Sequence, residues 1–435
     1  METREKDVGP LVDAVRRLVQ PFELKADLDP IMEQIGDARY VLLGEASHGT
    51  AEYYVWRARL SQRLIREKGF SFVSVEGDWP DCYQVNRYVK GYPDVGKRAY
   101  DVLHAFERWP TWMWANWEIV AFTEWLRLFN EKQGRQVGFY GLDVYSLWES
   151  MEAIIDYLEE VDPEAAAAAR RAYLCFEPYG EDAQSYAWST AMVPESCEDE
   201  VINLLIEMRQ RMPLFDGDTE AAFSADQNAL VTVNAEHYYR TMVRGGADSW
   251  NVRDRHMVET LHRLMNFHGP EAKGIVWAHN THVGDARATD MAGSGMVNVG
   301  QLVREADGGA GVVLIGFGSH HGSVVAGESW GAPMQRMRVP EGQPGSWEDV
   351  LHRAGAERGF LLLGDPRWGK ELQRTRGHRA IGVVYHPAQE WGNYVPTVLP
   401  DRYDTFIYID ETEALHPLHI RGATDKPPET YPWGV

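Results

Sequence analysis

Short apolar runs alternate along the chain with longer stretches of helical periodicity. Residues 8–36 place Leu11, Val15, Leu18 and Val19 at helical spacing, so they predict one or two helices with a break near Pro21. Tyr40–Leu43 then reads as a buried strand. It breaks at Gly44, and Tyr53–Arg66 behind it reads as an amphipathic helix. The same unit recurs. Ser71–Glu76 is a second strand, followed by a helix start at Pro80. An aromatic-rich helix over 112–132 carries Trp112, Trp114, Trp117 and Trp125, and Gln136–Tyr140 is a third strand. Further strand-like runs are Gly274–Ala278, Gly311–Phe317, Phe360–Leu363, Ala380–Tyr385 and Thr405–Ile409.

Residues 147–268 differ from the rest. They hold long helical patterns and the Ala165–Ala169 run, a strong helix former, and no strand pattern. The predicted class is α/β, with a mainly parallel central sheet flanked by helices and a helical insertion or cap. The expected division is a first half of the α/β core at 1–146, a helical insertion at 147–268, a second half at 269–425 and a Pro-rich surface tail at 426–435.

The ends of the strands carry the candidate chemistry. Ligands of open α/β sheets sit beyond the carboxyl ends of the strands. Three early strands end in acids there: Glu45, Glu76 and Asp143. His48 lies three residues after Glu45, close enough for both to face one cleft. An imidazole oriented by a carboxylate is a suitable general base for water. His279 and His282 follow a later strand and suit a metal, a polarised carbonyl or an oxyanion equally. Arg57 is nine residues after His48 on the same predicted helix. That is half a turn out of phase at about 100° per residue, so Arg59 competes with it. Neither histidine pair forms HExxH, no GxSxG elbow is present, and no Walker or dinucleotide fingerprint occurs.

Composition narrows the partners. The 435 residues carry 44% hydrophobic and 25% charged residues, ordinary for a soluble globular protein. The net charge of −22 disfavours nucleic acid and suits a neutral or cationic small molecule. No run approaches the ~18 apolar residues of a membrane span, and Met1–Asp7 lacks the apolar core of a secretory signal. The three cysteines, Cys82, Cys175 and Cys197, form no CxxC pair, so reduced thiols in a cytoplasmic protein are expected. The 16 tryptophans serve packing or a pocket for a bulky, partly apolar ligand.

Several motifs resemble the erythromycin esterase family: Gly44-Glu-Ala-Ser-His-Gly-Thr50, Glu76-Gly-Asp-Trp-Pro-Asp81, Trp250-Asn-Val-Arg-Asp-Arg255, Trp277-Ala-His-Asn-Thr-His-Val-Gly-Asp285 and Arg379-Ala-Ile-Gly-Val-Val-Tyr-His-Pro387. The likeness runs in order from about residue 35 to 420. The form of the second motif resembles members named as succinoglycan biosynthesis proteins. The resemblance implies hydrolysis of a macrolactone ester, inactivating an antibiotic. It makes His48 the general base, Glu45 its partner and Arg57 the helix arginine, and it adds Glu76, His279 and His282 as active-site positions. Asp78, Trp79, Trp114, Asp143 and Arg253 are the expected substrate-binding residues. No cofactor is expected, although Glu45, His48, Glu76, His279 and His282 leave a divalent metal open. Two other readings stay open: a metal-dependent hydrolase of a peptide, amide or polysaccharide substituent, and a non-enzymatic binder of a bulky apolar ligand.

Overall fold

The computed structural model describes residues 8–179, 183–192, 196–211, 218–243 and 246–419. The expected tail at 426–435 lies outside the described residues. The strands, in chain order, are β1 (Gln20–Pro21), β2 (Tyr40–Leu43), β3 (Phe72–Val75), β4 (Gly138–Gly141), β5 (Gly274–Trp277), β6 (Val312–Ala326), β7 (Gln335–Val339), β8 (Arg358–Leu362), β9 (Arg376–Arg379), β10 (Tyr394–Thr397) and β11 (Thr405–Thr412). The main sheet runs β1-β8-β11-β6-β2-β5-β3-β4, and β7 pairs the far end of β6. From β11 to β4 every neighbour pair along this path is parallel; β8, β1 and β7 join antiparallel at the margins. This is the α/β class with a mainly parallel sheet.

Alternation along the strands separates two cores. Val41 and Leu43 enter one apolar cluster with Tyr54, Leu60 and Leu64 of the helix Ala51–Lys68. Tyr40 and Leu42 enter the other with Met257, Leu261 and Leu264 of the helix Asp248–His268. Side chains at even and odd positions point to opposite faces, so both faces of a four-residue strand are covered by helices. Among its described residues the stretch 147–268 consists of helices joined by short connections, and it holds small cores of its own, one of them around Trp148, Phe176, Tyr186 and Tyr239.

Four expectations are corrected. Cys175 and Cys197 form a disulfide with Cα atoms 5.9 Å apart, so only Cys82 is a free thiol, and it is buried. Widely spaced cysteines carried no pairing signal, because two helices bring them together. The thiol argument for a reducing cytoplasm therefore falls away. Trp112 and Trp114 precede the aromatic helix, which begins at Trp117. The Asn116 side chain accepts from Ile119 N–H at 2.8 Å and caps it there. β6 runs nine residues past the expected Phe317, because β11 and then β7 give it partners through a polar Ser-His-His segment. Ala380–Tyr385 makes no ladder. It bridges singly to Ser47 and Gly327, and its alternation reflects Ile381 and Tyr385 packing on Val324 and Met337.

Candidate active site

Four parallel strands end on one rung. Leu43 pairs with Trp277, Trp277 with Val75, and Val75 with Gly141. The next one or two residues of each strand are Glu45, His279, Glu76 and Asp143. The common register therefore delivers four polar side chains to one edge of the sheet. Gly44 is needed at the turn. A Cβ there would come to 2.1 Å from Asn280 Oδ1. Asn280 itself donates from its backbone to Glu45 O at 2.8 Å and from its amide to Phe317 O at 2.7 Å. Only a glycine lets this crosslink form beside the site.

His48 lies between this turn and the helix Ala51–Lys68. Its Nδ1 is 2.9 Å from Glu45 Oε1, so Nδ1 carries the proton and Nε2 presents a lone pair to the cleft. Glu45 Oε2 accepts from Arg57 at 2.7 Å. Arg57 is wholly buried, with its guanidinium 4.3 Å from the Tyr54 ring centroid and 5.0 Å from that of Trp277. The phase problem disappears because His48 precedes the helix. Arg57 reaches the glutamate from behind and does not line the cleft. It positions Glu45. Arg59, the competitor, instead lies over Trp56.

Arg253 binds the other acids. Its Nε and Nη2 donate to Asp143 at 2.9 and 2.7 Å, and Nη2 also donates to Glu76 Oε1 at 2.7 Å. Glu76 Oε2 accepts the His279 backbone N–H at 2.8 Å. Burial pushes the Glu76 carboxyl up, but the positive charge of His282 and Arg253 holds it well below the usual carboxylate range. His282 stacks on Trp250 at 4.6 Å and places Nδ1 2.9 Å from Asp254 Oδ1. Its Nε2 is 3.4 Å from Glu76 Oε1 and 3.1 Å from Arg253 Nη1. Burial pulls its pKa down, yet the Asp254 and Glu76 carboxylates outweigh it and raise the pKa to about 9. In the imidazolium form, His282 and Arg253 are both donors and share Glu76 Oε1.

This shift has a consequence for stability. The unfolded pKa of His282 is near 6.5. Its contribution is complete below that pH and lost as pH rises through about 9. The urea midpoint of the wild type is expected to fall between pH 7.5 and 9.5, and His282→Gln should flatten that slope. Equal slopes in the two proteins would refute the assignment.

His279 is the opposite case. Its Nδ1 accepts from the Thr281 backbone N–H at 3.3 Å and lies 2.8 Å from Thr281 Oγ1. Nε2 therefore carries the proton. It is buried, has no hydrogen-bond partner, and belongs to a residue that lines the cleft. Burial holds the pKa of His279 well below its ordinary value, so it remains a neutral donor.

The cleft encloses about 920 Å³ of space, part of it open to solvent. His48, Glu76, His279 and His282 form its floor, and Asp78, Asp143, Trp114 and Arg253 also line it. Trp79 does not. It is buried between Tyr83 and Tyr140 and donates to Ser224, because the helix starting there turns the ring into the core. Among the described residues of the helical stretch 147–268, Arg253 alone lines the cleft. The loop 106–114, Trp330 and residues 380–383 supply the wall instead. Sequence reasoning missed Asp254, Asp81 and Arg108. Asp254 stands beside Arg253 in a quoted motif, but its partner His282 is distant in sequence. Asp78 pairs with Arg108 at 2.6 Å. Burial raises the pKa of Asp78 to about 6 and, with the Asp78 charge, that of Asp81 to about 7.

The five residues considered as metal ligands engage most of their donor atoms with protein groups. Glu45 and Glu76 each use both oxygens, and His282 is held between Asp254 and Glu76. Only His48 and His279 turn a ring nitrogen to the cleft without a close partner, and on His279 that nitrogen is protonated.

The erythromycin esterase family model matches residues 65–412. The erythromycin esterase type II of Escherichia coli is 22% identical over 382 residues, covering 80% of this chain and 86% of the relative. A solved succinoglycan biosynthesis protein superposes with a TM-score of 0.75 at 20% identity, covering 96% of this chain and 99% of that one. A mutant erythromycin esterase EreC in its open conformation superposes with a TM-score of 0.67 at 16% identity, covering 90% and 96%. At these identities the two structures establish the fold, while the family model spans the elements that carry most of the site. The chain belongs to the erythromycin esterase family and is an ester-hydrolysing enzyme.

Proposed function

We propose that this enzyme opens the lactone of a macrolide by direct attack of a water molecule activated by His48, without a metal. The observation that carries this reading is the orientation of His48. Glu45 and Arg57 hold Nδ1 as the protonated nitrogen, so Nε2 faces the cleft as a base. Water loses a proton to Nε2 as its oxygen bonds to the ester carbonyl. The imidazolium is stabilised by Glu45. The His279 Nε2–H, buried and unpartnered, is suited to donate to the oxyanion, an interaction worth roughly 3 kcal/mol. Collapse breaks the C–O bond, and His48 returns its proton to the departing alkoxide. The product is a hydroxy acid, the substrate plus one water.

Other features support the parts of this reading. A divalent ion at Glu76 would have to displace the Arg253 guanidinium, which supports a metal-free site. Ser47 is buried against Thr50 and does not line the cleft, so no serine nucleophile is offered there. Inactivation of a macrolide would also make the protein a determinant of antibiotic resistance. No described helix is long and apolar enough to cross a membrane.

The test is to incubate purified protein with a 14-membered macrolide and read the mass of the small molecule. A gain of one water is expected. An unchanged macrolide alongside turnover of other esters would remove macrolides as the substrate class.

A further inference from the structure

A second cluster of histidines lies apart from the cleft, on the outer part of β6. There β6 runs beside β11, with Ser319 opposite Ile409 and His321 opposite Glu411. Between these pairs, His320, His321 and Asp410 bring ligand-type atoms within 4.8 Å of one another. β2 ends opposite Ile315. His320 is five residues further along β6, or about 17 Å at ~3.3 Å per residue. None of the three lines the catalytic cleft.

The geometry of the cluster is that of a ligand set. Neighbouring residues on a strand ordinarily point to opposite faces. Here the two Nδ1 atoms are only 3.3 Å apart, with the rings 83° from coplanar. Two nitrogens at ~2.05 Å from a tetrahedral ion are separated by about 3.3 Å, since Zn–N bonds run near 2.0–2.1 Å. The carboxylate is oriented as well. The Tyr408 hydroxyl donates to Asp410 Oδ1 at 2.5 Å, and His352 Nδ1 lies 2.8 Å from the same atom. That leaves Oδ2 without a donor among the described residues. The His352 ring also stacks on His320 at 3.8 Å, nearly parallel, and fixes its plane. Such outer contacts usually accompany metal ligands. Arg379 donates to the His320 carbonyl at 2.8 Å, but its guanidinium is paired with Glu390 at 2.6 Å, so its charge is balanced. His320 is buried, while His321 and Asp410 are partly exposed, which leaves a path for an ion.

We propose that His320, His321 and Asp410 bind a zinc ion, separate from the catalytic cluster, that ties β6 to β11, with His352 as the residue that orients the carboxylate. Histidine nitrogen with one carboxylate is a donor set suited to zinc. The proposal does not depend on the esterase reading, because these groups are remote from His48.

The experiment uses the full-length protein without an affinity tag, freed of metal by dialysis against chelator. Zinc is titrated by calorimetry, and cobalt is titrated as a spectroscopic probe of four-coordinate geometry. One ion per chain is expected, with the intense visible bands of tetrahedral cobalt. His321→Ala and Asp410→Asn should each weaken binding at least about 30-fold, and His352→Gln about 10-fold. His48→Asn should bind as the wild type does. Thermal melts of the metal-free variants serve as the folding control, and added zinc should raise the melting temperature of wild type but not of His321→Ala. No binding by the wild type would overturn the proposal. So would undiminished binding in both His321→Ala and Asp410→Asn, or binding lost in folded His48→Asn.

Discussion

Replacing His48 by asparagine is expected to lower kcat by about 10³-fold with little change in KM. General-base catalysis contributes roughly 10²–10⁴-fold. Asparagine has no basic nitrogen, so water would have to attack unassisted. Folding should survive, because Glu45 keeps its ion pair with Arg57 when the imidazole is removed. On the proposed mechanism the effect belongs in kcat, because the base acts on water during the chemical step while other residues of the cleft would bind the substrate. Steady-state kinetics at pH 7.5 with a chromogenic ester or a macrolide, beside a urea melt of the same variant, makes the check. A folded variant with kcat within about threefold of wild type would exclude His48 as the base.

The second large effect is structural. Arg253→Met should destabilise the protein by about 3–5 kcal/mol, the usual cost of removing one partner of a buried ion pair. Arg253 is the fork between Glu76 and Asp143, both buried. Without it Asp143 loses its ion-pair partner, and Glu76 keeps only His282 and the His279 backbone N–H. Glu76 would then bind a proton more tightly, so the variant should lose more stability at pH 8 than at pH 5. Arg253→Lys should recover only part of the loss, because an ammonium cannot make the planar fork. Urea melts of the three proteins at the two pH values test this. A loss below about 1 kcal/mol in Arg253→Met would mean that the fork contributes no more than a surface pair.

Much of this architecture was legible in the chain. Apolar runs that stop at Gly44, Glu76 and Gly141 mark strands, and their ends mark the rim where chemistry collects. Register was the hidden variable. Nothing in the local pattern says that Leu43, Trp277, Val75 and Gly141 share a rung, yet that shared rung joins His48 and Glu45 to His279 and Glu76. Long-range pairing hid other features in the same way. The bond from His282 to Asp254 crosses 28 residues, and the Cys175–Cys197 disulfide crosses 22. Arg57 was ambiguous by helical phase, because the phase of a helix cannot be read until its first residue is known. Trp79 misled for a related reason, since an aromatic ring at a helix start can turn to the core as easily as to the cleft. The histidines of β6 were hidden by a strand that continues through polar residues when two neighbours pair with it.

The central claim is direct attack by water, with no covalent intermediate on the protein. The most direct test mixes enzyme with excess substrate, quenches in acid during the first turnovers, and reads one mass spectrum for both protein and product. Direct attack predicts unmodified protein at every time point and a product heavier than the substrate by one water. A transient protein species heavier by the mass of the substrate would contradict it, and would move the first bond-forming step from water to a side chain.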